Sequence, residues 1–140
     1  MTHLQREFNN VVGTYFPRWK SSSQWRVVKK HPLLKEHFFQ GKCLPEEKVI
    51  IINLPTDVYL YSTLAHEICH AITMSKYHDK KWRERYIKVA KQAEKVRDMP
   101  LAYYIREEID YYRDGLQDKY QKGLISEEEF LDGRKDQDGF

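Results

Sequence analysis

The chain carries only two cysteines, Cys43 and Cys69, in 140 residues. Two thiols cannot build a zinc ribbon. Long hydrophobic runs are missing too. The longest, Val49 to Leu54, is broken by Asn53 and falls well short of the ~20 apolar residues that cross a bilayer. The opening Met1-Thr2-His3-Leu4-Gln5-Arg6-Glu7 has no basic stretch leading into an apolar core, so no signal peptide is expected. Without one, the cysteines are expected to be free thiols in a reducing, intracellular compartment: cytoplasm, nucleoid or nucleus. No internal repeat or linker interrupts the chain, and no membrane association is expected.

What is present suits a folded domain. Hydrophobic residues make up 41% and aromatic ones 14%, too rich for a disordered chain. The length allows a core without covalent staples. Residues 1–133 are expected to form a single domain, with 134–140 as a polar tail.

Leu4, Phe8, Val11 and Val12 recur at helical spacing, which predicts a first helix over 3–16. Ser21-Ser22-Ser23 marks a loop, and Trp25 to Val28 a short strand. Residues 31–47 fit either a helical turn or a hairpin arm. The β-branched run over 48–54 predicts the best strand, closed by Pro55. Thr56 or Asp57 is then placed to cap a helix whose apolar face holds Tyr59, Leu60, Leu64, Ala65, Ile68, Ala71 and Ile72. A second helix is expected from Asp79 to about Val96, with Trp82, Tyr86, Val89 and Ala90 inward. A third runs from Pro100 to about Gly123. Ser126-Glu127-Glu128-Glu129 spells a capping box for a last short helix, stopped at Gly133. The fold class expected is α+β, a small sheet including residues 25–28 and 48–54 packed against the helix that follows Pro55 and further helices.

The chemistry concentrates in His66-Glu67-Ile68-Cys69-His70. Four residues apart on a helix, His66 and His70 share one face and can aim ring nitrogens at one ion about 2.0–2.1 Å away. Glu67 is offset by one position, so its carboxylate reaches water beside the ion rather than the ion, as a general base requires. A shuffled chain of this composition would contain the five-residue pattern roughly 0.02 times, so context has to support it. A buried-type strand followed by an amphipathic helix is the context such a site needs.

A catalytic zinc needs a third protein ligand and one open position. On a continuous helix His78 would lie about 12 Å beyond His70. The helix is therefore expected to end near Met74 to Lys76 and the chain to fold back, with Asp79 capping the next helix. No glycine marks that turn. Glu107 and Glu108 are the rival third ligands. Their helix is charged and amphipathic, where carboxylates face water or pair with lysine and arginine, so His78 is preferred. His3, His31 and His37 have no comparable spacing. Tyr61, Tyr77 and Tyr104 are candidates, by residue type, for stabilising an oxyanion.

Leu64-Ala65-His66-Glu67-Ile68-Cys69-His70-Ala71, with His78-Asp79-Lys80-Lys81-Trp82 after it, resembles the SprT-like family of zinc metallopeptidases. Its members include the Spartan proteases that digest DNA–protein crosslinks. Family members place a third histidine after a loop and an aromatic residue four positions later, as His78 and Trp82 stand here. The resemblance covers roughly residues 48–90. It departs at Asp79-Lys80-Lys81, where the family often has Gly-Pro-Glu or Gly-Lys-Glu, and no C-terminal zinc ribbon is expected because the cysteines it needs are absent. It implies a small zincin-like domain with one catalytic zinc on His66, His70 and His78. It also implies Glu67 as base and endopeptidase action on protein or peptide substrates, DNA-associated ones included. A processing or regulatory peptidase with no link to DNA is the nearest alternative. A non-catalytic module stabilised by zinc is another.

Net charge is only +3 but unevenly spread: residues 1–100 hold 18 Lys+Arg and 10 Asp+Glu, residues 101–140 hold 6 and 11. The basic body includes Lys76, Lys80, Lys81, Arg83, Arg85, Lys88 and Lys91 beside the third ligand. These residues can either meet DNA phosphates or merely solvate a helix face.

Overall fold

Thr2 begins the first helix. Its hydroxyl accepts from the Gln5 amide at 3.1 Å, and α1 (His3–Tyr15) buries Phe8, Val11 and Tyr15. The computed structural model describes residues 1–30, 39–113, 116–129 and 131. After a 3₁₀ turn at Ser22–Gln24 come three short strands, β1 (Arg26–Lys29), β2 (Gly41–Leu44) and β3 (Val49–Ile52). They form one sheet in the order β1-β3-β2. β1 runs parallel to β3, with Val27 opposite Ile50. β2 runs antiparallel to it, with Cys43 opposite Ile50.

The hairpin-arm reading of 31–47 therefore holds at its C-terminal end, while Leu33, Leu34 and Phe38 lie outside the described residues. All four β3 residues are buried, as a central strand with two covered faces requires. Ile50 and Ile52 alternate onto the face that joins the main core.

That core is closed by α2 (Leu60–Thr73), α3 (Lys80–Lys95) and α4 (Met99–Tyr112). Leu64 and Ile68 meet Trp82, Tyr86 and Val89, with Leu101 and Ile105 beyond. Each such side chain, fully buried, contributes about 1.5–3 kcal/mol. Asp79 caps α3 by accepting from the Trp82 amide at 3.1 Å. Asp98 does the same for α4, with Pro100 in the first turn.

Two expectations are corrected. Neither Thr56 nor Asp57 caps α2, which begins at Leu60 behind Tyr59 with no side-chain cap. Thr56 instead accepts from the Val58 amide, and Asp57 meets His3 at 2.6 Å. Nor is the third helix continuous to Gly123. α4 ends at Tyr112, and α5 (Leu116–Gln121) is separate. Asp114-Gly115, two poor helix formers, stand between them in the sequence. Gly123 ends α5 at φ 75°. The capping box forms as expected: Glu129 N–H donates to Ser126 Oγ and Ser126 N–H to Glu129 Oε1. Gly133 and the tail lie outside the described residues. Among the described residues no helix is long and apolar enough to cross a membrane.

Candidate metal centre

His66 and His70 stand one turn apart on α2. The turn that returns the chain toward them uses no glycine. Met74 itself adopts the left-handed conformation, φ 56° and ψ 20°, as the C-cap of α2. That conformation costs a non-glycine residue about 1–2 kcal/mol. Ser75 ties the turn to both flanking helices: its carbonyl accepts from His70 Nδ1 at 2.6 Å and its hydroxyl lies 2.8 Å from Asp79 Oδ2. His78 then enters the cluster, its carbonyl held by Arg83 Nη1 at 2.7 Å.

The three Nε2 atoms converge. His66 Nε2 lies 3.3 Å from that of His70 and 3.0 Å from that of His78, and all three lie within 4.8 Å of one another. His70 Nδ1 faces a carbonyl, which only accepts, so Nδ1 carries the proton and Nε2 presents a lone pair. His66 Nδ1 faces the Glu108 carboxylate at 2.7 Å, so a neutral His66 also carries its proton on Nδ1 and leaves Nε2 bare. Three bare nitrogens at this separation repel unless a cation lies among them, either a metal ion or a proton on one ring. Nitrogens bound at about 2.0–2.1 Å around a tetrahedral ion sit about 3.3 Å apart, so this donor set fits a metal. His66, His70 and His78 can thus hold a metal ion. The three-histidine set preferred from the sequence is assembled, and Glu107 and Glu108 are not among the converging donors.

Charge distinguishes the three rings. Burial, then repulsion from His66, lowers His70 to about 4 and His78 to about 2, so both rings are neutral at pH 7. His66 is raised: burial works against its cation, but Glu108 and Glu67 outweigh it. Glu67 is 5% exposed and its Oε2 lies 3.8 Å from His66 Nε2. Burial pushes its carboxyl up to about 7, against the pull of a protonated His66. A carboxyl poised near neutrality can exchange a proton at physiological pH. Burial also raises both thiols, Cys43 to about 12 and Cys69 further, which keeps both protonated at neutral pH.

Glu67 owes its place to a missing side chain on β2. A Cβ at Gly41 would lie 2.7 Å from Thr63 Cγ2, 3.1 Å from Glu67 Cγ and 3.2 Å from Glu67 Oε2. Gly41→Ala is therefore expected to destabilise the protein by about 1–3 kcal/mol. Adding Thr63→Ser, which removes Cγ2, should recover part of the loss. Urea unfolding of the two single variants and the double variant measures the coupling; additive losses would mean that the contact does not govern this site.

Glu108 corrects the reading that both glutamates face water or pair with lysine and arginine. Glu107 does, but Glu108 turns inward between His66 Nδ1 and the Tyr86 hydroxyl, 2.6 Å from Oε1. The sequence held the signal, since Glu108 falls on the stripe Leu101, Ile105, Glu108, Tyr112. Two aromatic roles also went unread. Trp82 lies beneath all three histidines, and its Nε1 donates to the His66 carbonyl at 3.2 Å. Tyr112 stacks on His78 with centroids 3.8 Å apart.

The cluster opens into a cleft of about 1270 Å³, walled by Gly41, Lys42 and Cys43 of β2 and by Tyr77, Tyr104 and Tyr112. Tyr61 does not line it, because it faces α1 and bonds Glu7. Of the basic residues, Arg83 is tied to the His78 carbonyl, and Arg85 reaches the Tyr15 carbonyl and lies over the Phe16 ring. Lys80, Lys81, Lys88 and Lys91 are exposed, Lys80 lying 3.8 Å from Glu84. His3 pairs with Asp57 away from the cluster, and His31 and His37 lie outside the described residues.

Compared with protein-family models, curated proteins and solved structures, the chain matches none.

Proposed function

We propose that this chain is a zinc-dependent endopeptidase of the SprT-like kind, with His66, His70 and His78 as ligands and Glu67 as general base. The observation that carries the reading is a convergent three-histidine cluster with a buried carboxyl 3.8 Å from one of its donor atoms. A purely structural metal site needs no base beside it.

Nitrogen donors alone also suit copper, iron or nickel; the neighbouring base favours zinc and hydrolysis. Zinc, when bound, supplies Lewis acidity and lowers the pKa of water toward neutrality. Glu67 takes the proton as water attacks the scissile carbonyl, then returns it to the amine as the C–N bond breaks. Peptides are favoured as substrates by β2. Among the described residues it is an edge strand, and its residues line the cleft beside Glu67. An extended chain can pair its backbone with such an edge. Tyr77, Tyr104 and Tyr112 line the same cleft.

The wild type is expected to hold one zinc per chain and to cleave casein or itself. The double variant His66→Ala/His70→Ala should hold none, whereas His3→Ala keeps the full amount. Elemental analysis after gel filtration gives the count, and stoichiometric zinc in the double variant would sink the assignment.

DNA-associated substrates are the narrower form of this proposal, supported by exposed Lys80, Lys81, Lys88 and Lys91 on α3, of which Lys81 lines the cleft. Because Arg83 and Arg85 have internal duties, Lys81→Glu/Lys88→Glu is the cleaner probe. In a Glu67→Gln background this pair should weaken single-stranded DNA binding and reduce its log–log salt slope by about 1. No binding at low salt would leave a peptidase with other substrates.

A further inference from the structure

His66 and His70 are not held alike. His70 Nδ1 donates to a neutral carbonyl, that of Ser75. His66 has a carboxylate behind it, and that carboxylate is engaged at both oxygens. Glu108 Oε2 accepts from His66 Nδ1 at 2.7 Å, while Oε1 accepts from the Tyr86 hydroxyl at 2.6 Å. Tyr86 is wholly buried, fixed between Trp82 and the core, with its hydroxyl also 3.2 Å from the Ser62 carbonyl. Four residues on three helices thus form a chain from the α2 backbone through α3 and α4 back to a ligand ring.

We infer that Glu108 is a positioning residue, anchored by Tyr86, which holds His66 with Nδ1 protonated and Nε2 bare toward the metal; the inference rests on the metal reading above. Two fixed acceptor oxygens set both the tautomer and the tilt of the ring. Without them, His66 can place its proton on Nε2 and turn its donor atom away from the cluster. Partners of this kind behind a ligating histidine typically alter metal affinity or activity 10–100-fold when removed.

The glutamine variant separates geometry from charge. In Glu108→Gln the amide oxygen still accepts from His66 Nδ1. The amide NH₂ then faces Tyr86, whose hydroxyl can accept that hydrogen and turn its own toward the Ser62 carbonyl.

Zinc affinity is measured by chelator competition on the whole chain for wild type, Glu108→Ala, Glu108→Gln, Tyr86→Phe and Glu107→Ala, with circular dichroism to monitor folding. A long-range ¹H–¹⁵N spectrum of the zinc-loaded proteins reads the His66 tautomer. Glu108→Ala is expected to weaken zinc about 10–100-fold and to lose the protected His66 Nδ1–H signal. Glu108→Gln should fall between it and wild type and keep that signal. Tyr86→Phe should weaken zinc by a smaller factor, and Glu107→Ala should match wild type. A folded Glu108→Ala with wild-type affinity and an unchanged signal would overturn the inference. If that variant unfolds, Glu108→Gln and Tyr86→Phe decide it: both at wild-type affinity overturns it, a graded loss supports it. Wild-type protein that binds no zinc overturns the metal reading itself, whereas zinc binding indifferent to position 108 overturns only this inference.

Discussion

Glu67→Gln is expected to keep zinc and the fold and to lower peptide hydrolysis by about 10²–10⁴-fold, the usual contribution of a positioned general base. Glutamine has the same shape, so it fits under Gly41 and beside Thr63 without a new contact. It cannot take a proton from water. The substitution should also change how the metal-free protein responds to pH. Burial raises the Glu67 carboxyl from its ordinary 4.5 to about 7, so folding favours its protonated form. That contribution is complete below about 4.5 and is lost as pH rises through about 7. Metal-free Glu67→Gln, which carries no such charge, should be the more stable protein above pH 7, with the gap closing toward pH 4.5. Activity assays, zinc content and urea unfolding across that range test all three statements. Wild-type turnover in the variant would place the base elsewhere, and loss of zinc would make Glu67 a ligand.

How much of this was legible in sequence depended on the range of the interaction. His66 and His70 were readable because their relation is local: four residues on one helix fix it. His78 was readable by exclusion, since a continuous helix would carry it out of reach and Asp79 offered a fresh start. The turn itself was not. Met74 takes a conformation that sequence assigns to glycine, and the Ser75 contacts to His70 and Asp79 hold it there. Glu107 and Glu108 look equivalent in a charged segment, yet a step of about 100° around the helix sends one to water and the other to His66. Only the rotation of α4 against α3, fixed by Leu101, Ala102 and Ile105 in the core, decides which. Arg83 and Arg85 show the converse. They belong to a basic run in sequence, but tertiary contacts turn both toward carbonyl groups.

His78→Ala should have the larger effect on the metal. It removes one of three donors, so zinc affinity is expected to fall by more than the ~100-fold that loss of an outer partner costs. The backbone around it should persist. Arg83 holds the His78 carbonyl rather than the ring, Asp79 still caps α3, and Ser75 still bonds Asp79. The lost ring leaves a gap against Tyr112 and Trp82, which lowers stability without unmaking the turn. Zinc affinity and unfolding free energy should therefore separate: a large change in the first, a modest one in the second. Glu107→Ala, exposed on α4, should change neither. Chelator competition on the two variants measures the contrast. Wild-type affinity in His78→Ala, or a loss in Glu107→Ala alone, would move the third ligand onto α4 and place the chain among zinc enzymes completed by a glutamate.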